Sequence, residues 1–424
     1  MVKTVMRGLI MSAACLMMSA LQAQVVVDVS GAQRAAQPIV VLPFQGDNSG
    51  KLDFLISSDL QKSGLLQPLD PKRIGMRPAA PNEVDYPAFA QTGADYLVLG
   101  RLQGGNSAQV VLSDVKAASV LSNDRITASS ERQLAHEIAD RIIEKLTGQR
   151  GAFATPIAYV LEQEKDGARR YSLMISDVDG ANRREVFASN QPILSPSWSP
   201  DGRNLAYMTY ANNRSQIVVQ DIASGSRRVI AESDDISSAP SFSPDGRSLA
   251  FVQSSNNNPD IYIIDLASGG KTRLTNHAGI DTEPFFSPDG RYVYFTSDRA
   301  GSPQIYRVAR QGGSAERAVV GNGFSANGDL SPDGKSLVLT RSSGGGYQIG
   351  LYDLASGRFD VLTSGRLDEG ASFAPNGQMI LYATRENGRS VLKVINTQGG
   401  EAMTLSDPAG RLRDPAWGPD LRGN

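Results

Sequence analysis

A chain of 424 residues is long enough for two domains, and its 42 Lys and Arg against 44 Asp and Glu leave no positive surplus for a phosphate backbone. The basic residues are scattered in pairs such as Arg169-Arg170 and Arg227-Arg228, so nucleic-acid binding is excluded. One cysteine, Cys15, and two histidines, His136 and His277, do not supply a thiolate nucleophile or the convergent ligands of a zinc site.

Residues 1–23 read as a secretory signal peptide. Lys3 and Arg7 flank the start of an apolar run, Gly8 to Leu21, and Ala23 is a plausible last residue. The run is shorter than the ~20 apolar residues a membrane span requires. Cys15 lies inside it, and the apolar residues that continue through Met18 argue against lipidation. Cleavage near Ala23 removes two positive charges, taking the net charge from −2 to −4, and leaves an exported, disulfide-free chain that does not span the membrane.

Residues 24–150 are expected to form a small α/β domain. Gln24, Val25, Val26, Val27, Asp28, Val29 and Ser30 make a β-prone tail, and Pro38 to Phe44 a strand. Leu52, Leu55, Ile56 and Leu60 share one face of a helix over 51–63, which Gly64 ends. A loop from Asp70 to Asn82 and a short helix over 86–92 follow. Strands are predicted at Tyr96 and at Ala108, then a helix from Glu131 to Leu146. Leu134, Ile138, Ile142 and Leu146 form its core stripe, Ser129 or Ser130 its cap, and Gly148 its stop. His136 falls off that stripe and reads as solvated.

From residue 151 a repeat takes over. Trp198-Ser-Pro-Asp-Gly, Phe242-Ser-Pro-Asp-Gly, Phe286-Ser-Pro-Asp-Gly, Leu330-Ser-Pro-Asp-Gly, Phe373-Ala-Pro-Asn-Gly and Trp417-Gly-Pro-Asp place Asp or Asn at 201, 245, 289, 333, 376 and 420. The intervals are 44, 44, 44, 43 and 44 residues, the mark of a repeat array. Each unit reads as a short strand a before the Ser-Pro-Asp-Gly turn, then strands b, c and d. Six such sheets around an axis make a six-bladed β-propeller over 151–424. The first set of b, c and d has no strand a before it, and the strand around Pro415 to Trp417 has nothing after it. The last strand therefore closes the first blade, and removing residues 412–419 would open the ring.

No catalytic motif accompanies this frame. Gly-x-Ser-x-Gly, Gly-x-Gly-x-x-Gly and the phosphate-binding loop are all absent, so no enzyme, cofactor or metal is expected. Asp201, Asp245, Asp289 and Asp333 recur once per blade and read as turn residues. The b–c and d–a loops share one rim, and several d–a loops are acidic: Asp234, Asp235, Asp281, Glu283, Asp368 and Glu369. His277 lies in one of them. Such a rim suits a protein partner with basic or polar loops, or is an ordinary solvated loop set.

The signal peptide, the α/β domain, the Ser-Pro-Asp-Gly repeat and the Trp417-Gly-Pro-Asp ending together resemble the TolB family, periplasmic proteins of the Tol–Pal envelope system of Gram-negative bacteria. The resemblance covers essentially the whole chain. The repeat motif alone also occurs in prolyl-oligopeptidase-like propellers, but no hydrolase domain is present. The resemblance implies a periplasmic, non-enzymatic scaffold for outer-membrane integrity and constriction at division, monomeric on its own. It implies binding of the peptidoglycan-associated lipoprotein at Ala239, Pro240, Thr282 and Glu283, with Asp368 and Glu369 added from their place on the same rim. It implies binding of the TolA C-terminal domain at Gln24 to Ser30, and contacts with outer-membrane proteins and imported bacteriocins. The alternative is a secreted propeller for a carbohydrate or peptide, or one derived from a degenerate hydrolase.

Overall fold

The computed structural model describes residues 36–104, 106–165, 167–321, 323–405 and 410–422. Residues 1–23, expected to be a signal peptide, and the tail from Gln24 to Ser30 lie outside the described residues.

The N-terminal domain is a five-stranded mixed sheet. Its strands are β1 (Gln37–Val41), β2 (Leu66–Leu69), β3 (Tyr96–Leu102), β4 (Ser107–Asp114) and β5 (Ser119–Thr127), in the order β2-β1-β3-β4-β5. β1 runs parallel to β2 and β3, and the β3–β4–β5 run is antiparallel. Because side chains alternate across a strand, β1, β3 and β4 feed two cores. Ile39, Val41, Val98, Val110 and Leu112 meet α1 (Leu52–Lys62) and α3 (Glu131–Thr147). Val40, Leu42, Leu97, Leu99 and Val111 meet Phe89 of α2 (Tyr86–Gln91). α3 starts where Ser130 Oγ accepts the Gln133 N–H at 3.1 Å and stops at Gly148, whose φ of 77° is left-handed.

The propeller has six four-stranded antiparallel sheets. Blades two to six begin with inner strands Leu194–Trp198, Ser237–Phe242, Asp281–Phe286, Ser325–Leu330 and Glu369–Phe373. Blade one joins Arg411–Trp417 to Pro156–Lys165, Ala168–Asp177 and Arg184–Ser189, with Trp417 opposite Ile157. The expected closure is present, and the Trp417 indole seals it by donating to Thr155 Oγ1 at 2.8 Å.

The Ser-Pro-Asp-Gly turns build one rim. Ser243 Oγ donates to Asp245 Oδ1 at 2.5 Å, and the Arg247 N–H donates to the same oxygen at 3.0 Å. The same pair of bonds recurs at Asp201, Asp289 and Asp333. Gly246, at φ 68°, lies over Pro200 of the preceding blade, with 3.7 Å between the proline Cδ and the position a Cβ would take. The turn thus needs glycine both for its φ and for blade-to-blade packing.

The N-terminal domain sits on this turn rim. Asn396 donates to the Ser63 carbonyl, and Asn376 Nδ2 donates to the Arg150 carbonyl at 3.1 Å. Arg422 ties Asp140 (2.6 Å), Glu137 (3.0 Å) and the Gly151 carbonyl (3.0 Å) to the chain's last described turn. One apolar core runs from Leu134 and Ile138 of α3 through Ile157 and Tyr159 to Trp417 and Leu381.

His136 corrects the sequence reading. It is 0 % exposed and its Nδ1 lies 2.6 Å from Asp59 Oδ2 on α1. It is off the apolar stripe of α3 but faces the seam between α1 and blade one, a second buried side that counting apolar residues does not detect.

Candidate partner-binding face

Opposite the N-terminal domain, the b–c and d–a loops surround the mouth of a central channel lined by the six inner strands, each neighbouring the next. Every inner strand carries one residue at positive φ: Ser195 (51°), Ala239 (48°), Glu283 (53°), Asn327 (53°), Gly370 (64°) and Asp414 (49°). Pairing with strand b shifts register there in all six blades, so each is a bulge that bends the strand and turns its backbone toward the channel. Five of the six are not glycine, and left-handed backbone at such residues costs about 1–3 kcal/mol each and gathers at binding sites.

The channel wall is acidic. Glu283 accepts the Thr296 hydroxyl at 2.8 Å and the Asn327 N–H of the next blade at 2.9 Å. Asp329 likewise accepts the Phe373 N–H of the next blade at 2.8 Å. Burial pushes the Asp329 carboxyl up to about 6. Burial also raises Glu283 and Asp414, and the charge of Glu369 adds to both shifts. Arg413 supplies a positive charge at the mouth, 3.2 Å from Glu162.

Outside the channel mouth stands an apolar crown. Ile236 is 47 % exposed, Ile280 49 % and Leu367 42 %. Half-buried Phe324 packs against Tyr347 with the rings tilted and their centroids 5.0 Å apart. Residues 236, 280, 324 and 367 occupy one register of the repeat in four consecutive blades. Exposed aliphatics gathered on one face mark an interaction surface. The sequence reading missed this crown. The signal was available, since aligning the units at the residue before strand a places the four apolar residues in one column.

The next column explains a further correction. Ser237, Asp281, Ser325 and Asp368 follow the crown in each blade, and all are buried. Both Asp281 carboxylate oxygens accept from Arg299 Nη2, at 2.9 Å (Oδ1) and 2.8 Å (Oδ2). Asp368, 1 % exposed, accepts from the Thr363 and Thr384 hydroxyls and from the Gly365 N–H at 3.0 Å. Neither is a surface acid of the rim; both carboxylates fix the loops that carry the crown.

The other predicted positions come together. Ala239, Pro240, Thr282 and Glu283 lie on the bulged inner strands of blades three and four, just inside Ile236 and Ile280. Glu369 is exposed at the start of the inner strand of blade six. Asp234 is exposed and pairs with Arg214 at 2.7 Å. His277 is exposed, with its Nδ1 accepting the Gly279 N–H at 2.9 Å. Among the described residues, no helix is long and apolar enough to cross a membrane.

Comparison with known proteins returns one architecture. Residues 25–121 match the TolB amino-terminal domain and residues 143–421 the TolB beta propeller domain. The chain is 54 % identical over 404 residues to the Tol-Pal system protein TolB of Methylococcus capsulatus, covering 94 % of this chain and 95 % of that one. It is 49 % identical over 419 residues to the protein of the same name from Thioalkalivibrio sulfidiphilus, covering 96 % of each. The crystal structure of TolB from Acinetobacter baumannii superposes with a TM-score of 0.85 at 40 % identity, over 92 % of this chain and 98 % of that one.

Proposed function

The chain belongs to the TolB family of the Tol–Pal system, and from that premise we propose that it is a periplasmic, non-enzymatic adaptor that holds two envelope proteins. The crown and channel mouth bind the peptidoglycan-associated lipoprotein. The mature N-terminal tail, Gln24 to Ser30, binds the TolA C-terminal domain by adding a strand to its sheet. The work served is outer-membrane integrity and constriction at division, with outer-membrane proteins and bacteriocins as further partners.

The observation that carries this reading is the apolar crown around an acidic mouth. Burying Ile236, Ile280 and Leu367 supplies affinity, whereas the acidic wall selects a partner segment that is polar or basic. Ala239, Pro240, Thr282, Glu283 and Glu369 then contact whatever enters the mouth. Asp368 acts from beneath by holding its loop.

Calorimetry with the soluble domain of the lipoprotein tests the reading. Thr282→Ala and Ile280→Ala each weaken binding about tenfold, a typical loss for a central contact. Unchanged affinity in both variants sinks the proposed face. Deleting residues 24–30 abolishes TolA binding. If the two sites are coupled, the same deletion changes lipoprotein affinity and the lipoprotein changes TolA affinity by an equal factor.

A further inference from the structure

The seam between the N-terminal domain and blade one contains a buried nitrogen with no partner. His136 Nδ1 faces Asp59 Oδ2 at 2.6 Å, so the Nδ1–H donates to that carboxylate and the lone pair of the neutral ring sits on Nε2. Nε2 is buried and makes no hydrogen bond. It points at two further carboxylates, Asp179 Oδ2 at 3.8 Å and Asp177 Oδ2 at 4.0 Å. A lone pair facing two anions is repulsive, and an unpaired buried nitrogen is costly. A proton on Nε2 would turn that repulsion into attraction, but both gaps exceed hydrogen-bond length, so the buried nitrogen would still lack a hydrogen-bond partner.

The gaps have the size of an ion. The three ligand atoms lie within 4.8 Å of one another, so a point equidistant from them is at most about 2.5 Å from each. Closing by a few tenths of an ångström reaches the ~2.0–2.2 Å of zinc bonds to nitrogen and carboxylate. The surroundings are those of a ligand set. Asp59 behind His136 fixes the tautomer, the relation found behind metal-bound histidines. Asn182 Nδ2 orients Asp177 at 2.7 Å, the Ala181 N–H orients Asp179 at 3.0 Å, and Arg132 pairs with Asp179. Asp59, Asp177 and Asp179 against Arg132 leave two negative charges around a neutral ring, which a dication cancels.

We infer that His136 Nε2, Asp177 and Asp179 form a site for a divalent transition ion of the zinc class, bridging α3 to the turn after the Ala168–Asp177 strand of blade one. The imidazole argues against calcium, which takes 6–8 oxygen ligands. Both propeller ligands come from the segment Asp177-Val-Asp-Gly180, where Gly180 at φ 81° lets the chain reverse within four residues. The ion would tie α1, α3 and the ring at one point, through Asp59, His136 and the aspartate pair.

The test uses the full mature protein, stripped with a chelator and titrated with zinc alone. One saturable equivalent and a rise in melting temperature of several degrees are expected. Asp179→Asn and His136→Gln should remove the saturable equivalent, and Asp59→Asn should weaken it about tenfold. Asp177→Asn, on the more exposed ligand, serves if the His136 variant does not fold. Absence of a saturable equivalent in the parent overturns the assignment. So does zinc binding that Asp177→Asn and Asp179→Asn leave unchanged, or magnesium and calcium raising the melting temperature as much as zinc.

Discussion

On the turn rim of the propeller, four blades repeat one arrangement, a serine hydroxyl and a backbone N–H closing on the same aspartate oxygen. On the loop rim the corresponding positions hold Ser237, Asp281, Ser325 and Asp368: the two aspartates accept from different donors, and the two serine hydroxyls are buried with no hydrogen-bond partner. The same strands end at both rims, so the difference is not one of scaffold. The turn rim is under one geometric demand, and the backbone N–H two residues on closes on the Asp or Asn oxygen in all six units. The loop rim keeps a common backbone, the left-handed bulge, and varies what stands on it. Regularity here marks the parts that make the ring, and departure from it marks the parts that face something else.

The carboxylates sharpen the contrast through pH. On the turn rim the hydroxyls of Ser243 and Ser287 and the following backbone N–H groups hold Asp245 and Asp289 down to about 2. Their contribution is present above the ordinary carboxylate range and is lost as pH falls toward 2. In the channel, burial holds Asp329 up at about 6. Its sign is opposite: stability is full below the unfolded value near 4 and declines as pH rises through 6.

Three measurements press on this comparison, in order of expected size. Deleting residues 411–424 removes the inner strand of blade one, the Trp417 contacts and the Arg422 tie to α3. Loss of cooperative thermal unfolding is expected, and a truncated protein that melts like the parent would mean the ring closes without its clasp. Asp329→Asn is next. It keeps an acceptor for the Phe373 N–H, gives up the one for the Leu330 N–H and removes the buried charge, so stability drops at every pH while the fall in melting temperature between pH 4 and 7 shrinks by roughly 2–4 °C. An unaltered profile places the titration elsewhere. The smallest effect on stability is Ile236→Ala on the crown. The melting temperature moves by about 1 °C or less, because an exposed side chain leaves no cavity, while lipoprotein affinity falls about tenfold. A drop in stability as large as a core truncation would make the crown part of the fold.

The ring was legible because its turn chemistry is local: proline, aspartate and glycine at fixed offsets carry their own geometry. Helix α3 was legible for the same reason, with Ser130 and Gly148 standing at its two ends. β5 was missed because Ser119–Thr127 shows no alternation of polar and apolar residues, with four polar residues in a row from Ser122 to Arg125, and packs on one side only. His136 was misread because its burial depends on Asp59 and Asp179, which lie 77 and 43 residues away along the chain. Asp368 was misread because a carboxylate in a loop looks the same in sequence whether it faces water or two threonines. The bulge residues lie at the repeat interval but share no residue type, so the strained backbone they have in common left no chemical trace.

The clasp also sets an order of events. Blade one pairs residues 411–417 with residues 157–162, so its two parts are separated by about 250 positions of chain. A chain emerging N-terminus first can complete blades two to six while the ring stays open, with the edge of Pro156–Lys165 unpaired until the last strand arrives. Formation of the ring is therefore a late, long-range event, slow by the ordinary penalty on distant contacts. For as long as it is pending, that bare edge is the place where the molecule is most exposed to pairing with the wrong chain.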